Sequence, residues 1–185
     1  MLKYFILRDK RLAGNLPQVA GTLITSQVDG TTPLSPSFLR INAAAQLSGR
    51  LKTLFILCHG IEAAFGELRF GGKGLQLGQE GLLAANVNNW TAIKDSVEHI
   101  VVYACSAAYT GIHSPQQSTV KSDGKALMSN LAKNTNAIVY AANQTQWYYP
   151  HNFDFGKWEG TVYAFLPSGH VLTNFPPAKE VWDIW

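Results

Sequence analysis

His59 and Cys105 are the residues of this chain whose types and placement point to chemistry. A thiol attacks only as its thiolate, and an imidazole beside it can take the proton and later return it to a leaving group. Each residue stands at the end of a short apolar run. Leu54-Phe55-Ile56-Leu57-Cys58 stops at His59-Gly60, and His99-Ile100-Val101-Val102-Tyr103-Ala104 stops at Cys105-Ser106. Both runs are rich in β-branched or aromatic residues, the composition of strands buried on both faces. If the two strands are parallel neighbours, His59 and Cys105 emerge together at the carboxyl edge of one sheet. Open α/β sheets place their active sites at that edge.

The elements that would position this pair are readable along the chain. Tyr4–Leu7 and Thr22–Thr25 read as strands, and Asp29–Pro33 as a turn. Ser35 is placed to cap a helix with Pro36 in its first turn, running through Phe38, Leu39, Ile41, Ala45 and Leu47 to a stop at Gly49. Glu67–Phe70 and Leu75–Leu77 flank Gly71-Gly72-Lys73-Gly74, the pattern of a β-hairpin. Glu80–Lys94 reads as a crossover helix, although its three asparagines are poor helix formers. Ala107–Lys121 reads as a polar loop, and Ser122-Asp123 as the cap of a helix through Ala126, Leu127, Leu131 and Ala132. Ala137–Ala142 is a third buried-type strand. Gly160–Leu166 and His170–Phe175 form a terminal hairpin about Pro167-Ser168-Gly169. The alternation of strand and helix calls for a parallel sheet. There is no internal repeat, linker or low-complexity stretch, so residues 1–185 are expected to form one domain.

Composition bounds the function. Of 185 residues, 46% are hydrophobic and 15% charged, which argues for a packed core and against disorder. The net charge of +3 is spread rather than massed, so nucleic acid is not an expected partner. No apolar run approaches the roughly 20 residues that span a bilayer, so no membrane is expected either. The amino end becomes charged too soon for a secretory signal, and the two cysteines lack disulfide-style spacing. A cytoplasmic location is the expectation, with signal-independent export left open.

The pattern of an apolar strand ending in His-Gly, followed about 46 residues later by an apolar strand ending in Ala-Cys, resembles the caspase-like cysteine peptidases. That group includes caspases, legumains, gingipains and the self-cleaving domains of some bacterial toxins. The match rests on "LFILCHG" at 54–60 and "IVVYACS" at 100–106, and extends loosely over 51–142. The resemblance implies an α/β three-layer sandwich, with a mainly parallel sheet flanked by helices on both faces and added β-hairpins. It implies a cysteine endopeptidase that needs no cofactor or metal and takes a protein or peptide substrate, including its own parent polypeptide. Cys105 would be the nucleophile, His59 the general base and acid, and the backbone N–H groups of Gly60 and Cys105 the oxyanion donors.

Tyr103 departs from the Gln-Ala-Cys of caspases. Two residues before Cys105 on a strand, it should share the nucleophile's face and border the substrate. It supplies no charge, so Gln144, Gln146, Trp147 or Asp154 could build the specificity pocket instead. No third residue that orients His59 is evident. Two rivals share the site. One is another Cys-His acyl-transfer enzyme, such as a deamidase or transferase; the other is a catalytically silent interaction module of the same fold.

The remaining chemistry-bearing residues read as structural. Cys58 alternates out of phase with His59 and belongs in the core. The glycine run lacks the spacing of a phosphate loop. His99 sits at a strand start, away from the active edge, while His113, His151 and His170 lie in polar or turn segments.

Overall fold

The computed structural model describes residues 3–14, 23–61, 63–65, 68–112, 121–147 and 157–182. In chain order the elements are β1 (Tyr4–Asp9), β2 (Leu23–Val28), α1 (Ser35–Ser48), β3 (Leu51–Leu57), β4 (His59–Gly60), β5 (Ala63–Phe65), β6 (Leu68–Phe70) and β7 (Leu75–Gln76). A 3₁₀ helix (Val87–Ile93) follows. The chain continues through β8 (Val97–Tyr103), β9 (Thr110–Ile112), β10 (Lys121–Asp123), α2 (Gly124–Thr135), β11 (Ile138–Ala142), β12 (Val162–Phe165), β13 (Val171–Thr173) and α3 (Lys179–Trp182).

Seven strands form one sheet in the order β13-β12-β11-β8-β3-β1-β2. The five strands from β11 to β2 are parallel, whereas β12 and β13 run antiparallel as the terminal hairpin. The molecule is therefore α/β with a mainly parallel sheet, as the alternation of elements requires. Both faces of the central strands are buried. One face packs Phe5, Leu54, Ile56, Ile100 and Val102 against Phe38 and Ile41 of α1, Trp90 of the 3₁₀ helix and Leu127 and Leu131 of α2. The other packs Ile6, Phe55, Leu57, Val101 and Tyr103 against Leu12 and Val181 of α3. This second cover is thinner among the described residues. It is fastened by the Thr53 hydroxyl, which donates to the Val181 carbonyl across the strand.

Local structure departs from the sequence pattern where a distant group intervenes. Leu34, not Ser35, stands at the N-cap of helix α1; no side chain caps the helix there, and the Glu80 carboxylate accepts the Leu34 N–H at 3.1 Å. Its inward face is Ser37, Phe38, Ile41 and Ala44, while Leu39 and Leu47 are 70% and 84% exposed. Residues 80–94 do not form an α-helix. The Asn86 side chain accepts the Leu83 N–H at 2.8 Å and donates to the carbonyls of Glu80 and Gly81, closing a turn before the 3₁₀ segment. Asparagine competes with helical backbone bonds in this way. Helix α2 starts as expected, with Asp123 accepting the Ala126 N–H at 2.9 Å.

The expected hairpin about Gly71–Gly74 is also replaced. Strand β6 pairs with β5, and β7 pairs with β4, so that His59 lies opposite Gln76 and Gly60 opposite Leu75. The glycines serve close approach instead of a hairpin turn. A β-carbon on Gly71 would sit 1.9 Å from Ser106 Cβ, and one on Gly72 would sit 2.0 Å from the Tyr109 carbonyl oxygen. Gly71 and Gly72 thus press against the loop that follows Cys105, while Gly74 approaches Leu82 and Leu83. That loop is less polar than expected: Ala107 and Ala108 are buried and β9 pairs with β10. Residues 113–120 lie outside the described residues, as do His113, His151 and Asp154.

Candidate functional site

Strands β3 and β8 are parallel neighbours in a register that pairs Leu57 with Tyr103. Two residues further on stand His59 and Cys105. The strand ends stay together past the last ladder pair: a β-carbon on Gly60 would lie 1.8 Å from the Cys105 carbonyl oxygen. Backbone meets backbone there, and only glycine leaves room for it. The sheet thus ends the two strands side by side and sets His59, Gly60 and Cys105 at one edge, with the side-chain bonds running to opposite sides, His59 toward Arg11 and Cys105 toward Gln146.

The His59 ring is exposed, and its Nε2 lies 3.2 Å from the Arg11 backbone carbonyl. A carbonyl only accepts, so Nε2 carries a proton and donates. Neutral His59 then has its lone pair on Nδ1, the form a base requires. Arg11 follows β1, on the side of β3 opposite β8. The imidazole is therefore oriented by a backbone group from the first loop, the role for which no third side chain was evident. Sequence could not reveal it, because every residue carries a carbonyl and only tertiary packing selects this one.

Arg11 is itself held in place. The Asp9 carboxylate is fully buried and accepts the Arg11 N–H at 3.0 Å, its Nε at 2.8 Å, its Nη2 at 2.6 Å and the Gly78 N–H at 2.9 Å. Burial works to raise the Asp9 pKa. The hydrogen bonds from Arg11 and Gly78 outweigh it and hold the carboxyl below the usual range. With a lowered folded-state pKa, Asp9 contributes its full stability above the unfolded value of about 3.9 and loses it as the pH falls toward the folded value. Asp9→Asn is expected to cost about 2 kcal/mol, since it leaves the Arg11 donors without their charged partner. Urea denaturation at pH 7 checks the size. The gap between wild type and variant should close below about pH 4.

The two thiols differ sharply. Cys58 is 2% exposed in the core, and burial pushes its thiol far above the ordinary range. Cys105 is partly exposed, and its Sγ–H donates to the Gln146 carbonyl at 3.5 Å. The chain turns abruptly after it. Ser106 has φ +51°, unusual for a residue with a β-carbon, and its N–H donates to the Gln144 carbonyl at 2.9 Å. Strained backbone of this kind often accompanies functional sites.

At Ser106, the residue after Cys105, opens a cleft of about 340 Å³, walled by Ser106, Asn143, Gln144, Thr145, Trp147 and Glu159, with Gly71 and Tyr109 completing it. Gln144 and Trp147, both expected near the substrate, line this cleft, and Trp147 is 62% exposed. Tyr103 and Gln146 are buried instead. The Tyr103 ring packs on Trp158 with centroids 5.5 Å apart, and its single hydroxyl proton is shared between the carbonyls of Trp147 and Lys157. Gln146 spans two segments: its amide donates to the Gln144 and Glu159 carbonyls at 3.0 and 2.8 Å, and its oxygen accepts the Glu159 N–H at 3.2 Å. Both side chains thus brace the wall from within. Glu159 carried no local sequence signal, because the antiparallel return of β12 brings it beside Trp147.

Among the described residues, no three His, Cys, Asp or Glu side chains are grouped to hold a metal ion, and no helix is long and apolar enough to cross a membrane. No protein-family model and no curated protein sequence matches this chain.

Proposed function

We propose that the protein is a caspase-like cysteine endopeptidase acting through Cys105 and His59. The observation that carries this reading is the joint ending of β3 and β8, with Gly60 backbone pressed against the Cys105 carbonyl. The mainly parallel sheet, the partly exposed thiol and the cleft beside it support the same assignment.

The chemistry follows from the groups present. His59 Nδ1 takes the Cys105 thiol proton, and the thiolate attacks the scissile carbonyl carbon. The Gly60 and Cys105 N–H groups stabilise the oxyanion. The C–N bond breaks as His59 returns the proton to the leaving amine, giving a thioester and a free amino terminus. Water, deprotonated by the same imidazole, then hydrolyses the thioester and frees Cys105. The Arg11 carbonyl stabilises the imidazolium formed in each half-reaction, as an acceptor on the far nitrogen does in other triads. In the resting arrangement the thiol bonds to Gln146, so substrate entry exchanges that bond for the one to Nδ1. Catalytic hydrogen bonds often form only in the substrate complex.

Alkylation of the native protein by iodoacetamide tests the activated thiol. Cys105 should label at least about 100-fold faster than Cys58, given burial of the latter, and His59→Ala should slow Cys105 labelling with no change at Cys58. Equal labelling in wild type and His59→Ala would remove the case for an activated thiol. Incubation with a peptide library then separates hydrolysis, read as new amino termini, from deamidation or acyl transfer, read as a change in product mass.

A further inference from the structure

We propose that the cleft beside Cys105 takes a long cationic side chain, lysine or arginine, with Glu159 as its counter-ion and Trp147 as its apolar wall. Among the described residues lining the cleft, Glu159 is the one that carries a carboxyl group; the others are polar amides and hydroxyls, one glycine and two aromatics. The cleft borders Ser106, the residue after the thiol, and the segment whose Gln146 carbonyl accepts the Cys105 Sγ–H. A residue seated there in a substrate would be the one on the acyl side of the bond attacked.

The backbone that carries the carboxylate is held before any guest arrives. Buried Gln146 grips both the N–H and the carbonyl of Glu159, and so ties its backbone to the Gln144–Trp147 wall. Glu159 Oε2 takes the Trp147 N–H only at 3.4 Å, a long and weak bond. A carboxylate offers about four acceptor sites, so a guanidinium or ammonium can still be bound. The volume of about 340 Å³ suits an extended side chain, and the exposed Trp147 ring offers a face for an aliphatic stem or a cation. An acidic guest would meet Glu159 as a like charge. A short apolar one would leave the ring of amides and hydroxyls unpaired.

As a substrate preference this rests on the peptidase reading, but binding in the cleft can be measured without it. Full-length Cys105→Ala protein is titrated calorimetrically with blocked arginine, citrulline and aspartate methylamides. Arginine should bind about tenfold or more tightly than citrulline, its neutral isostere, and aspartate should bind least. Glu159→Gln should bring arginine and citrulline together. Equal binding of the two by the parent protein, or an arginine preference that survives Glu159→Gln, overturns the assignment. In parallel, active protein is offered peptides differing only in the acyl-side residue. Cleavage after lysine and arginine, with kcat/KM lowered about tenfold to a hundredfold by Glu159→Gln, supports both proposals. Cleavage after other residues overturns the cleft assignment and keeps the peptidase. Charge-selective binding without cleavage of any peptide keeps the cleft assignment and ends the peptidase reading.

Discussion

Cys105→Ala is expected to abolish peptide hydrolysis, a loss of at least about 10³-fold in kcat, because no second thiol can reach the edge. Cys58 is locked in the core one residue before His59 and cannot substitute. His59→Ala should cost a similar factor, since the thiol then lacks both its base and the acid that protonates the leaving amine. The double variant should be no worse than the poorer single one. Groups that act in one step are strongly non-additive, and either loss already disables the step. Neither substitution removes a buried group that holds the fold together, so thermal unfolding should move little. Initial-rate measurements on a peptide cleaved by the wild type, with unfolding curves on the same samples, check both halves. Residual hydrolysis in Cys105→Ala near the wild-type rate would show that the activity belongs elsewhere.

Gly60→Ala carries the second large effect, and it acts on structure first. The added methyl would stand 1.8 Å from the Cys105 carbonyl oxygen and 2.8 Å from its carbon. Neither atom ends a flexible side chain, so the strand ends themselves must separate. Overpacking of this kind costs about 3 kcal/mol, or roughly 6 °C in the melting temperature of a domain this size. Gly49→Ala is the natural control. Gly49, at φ +80° and ψ −171°, occupies backbone space nearly closed to other residues, and a β-carbon there meets nothing within 4 Å, so only the conformational cost applies, about 1–3 kcal/mol. Gly60→Ala should also slow alkylation of Cys105, because the same shift moves the thiol and the oxyanion donors relative to His59. A Gly60→Ala protein as stable as the wild type would mean that β3 and β8 do not finish in contact.

The sequence alone determined the buried strands of the main sheet. Runs of apolar β-branched and aromatic residues cannot be left in water, and their length and punctuation set them as buried strands. This is why β3, β8 and β11, the Asp123 cap and the terminal hairpin were legible. It also placed His59 and Cys105 at strand ends, since the apolar pattern stops there.

Only the tertiary structure decided what surrounds them. The Arg11 carbonyl beside His59, the Glu80 carboxylate at the start of α1, and Glu159 beside Trp147 are contacts between segments remote in sequence. None leaves a periodic trace, because a single hydrogen bond or close approach constrains one position and not a repeat. The glycine run shows the same limit. Its composition suits a hairpin turn as well as a backbone pressed against a loop, and the packing of Ser106 and Tyr109 selects the latter. Local pattern fixes which stretches must be buried; the geometry of their burial fixes which polar groups meet.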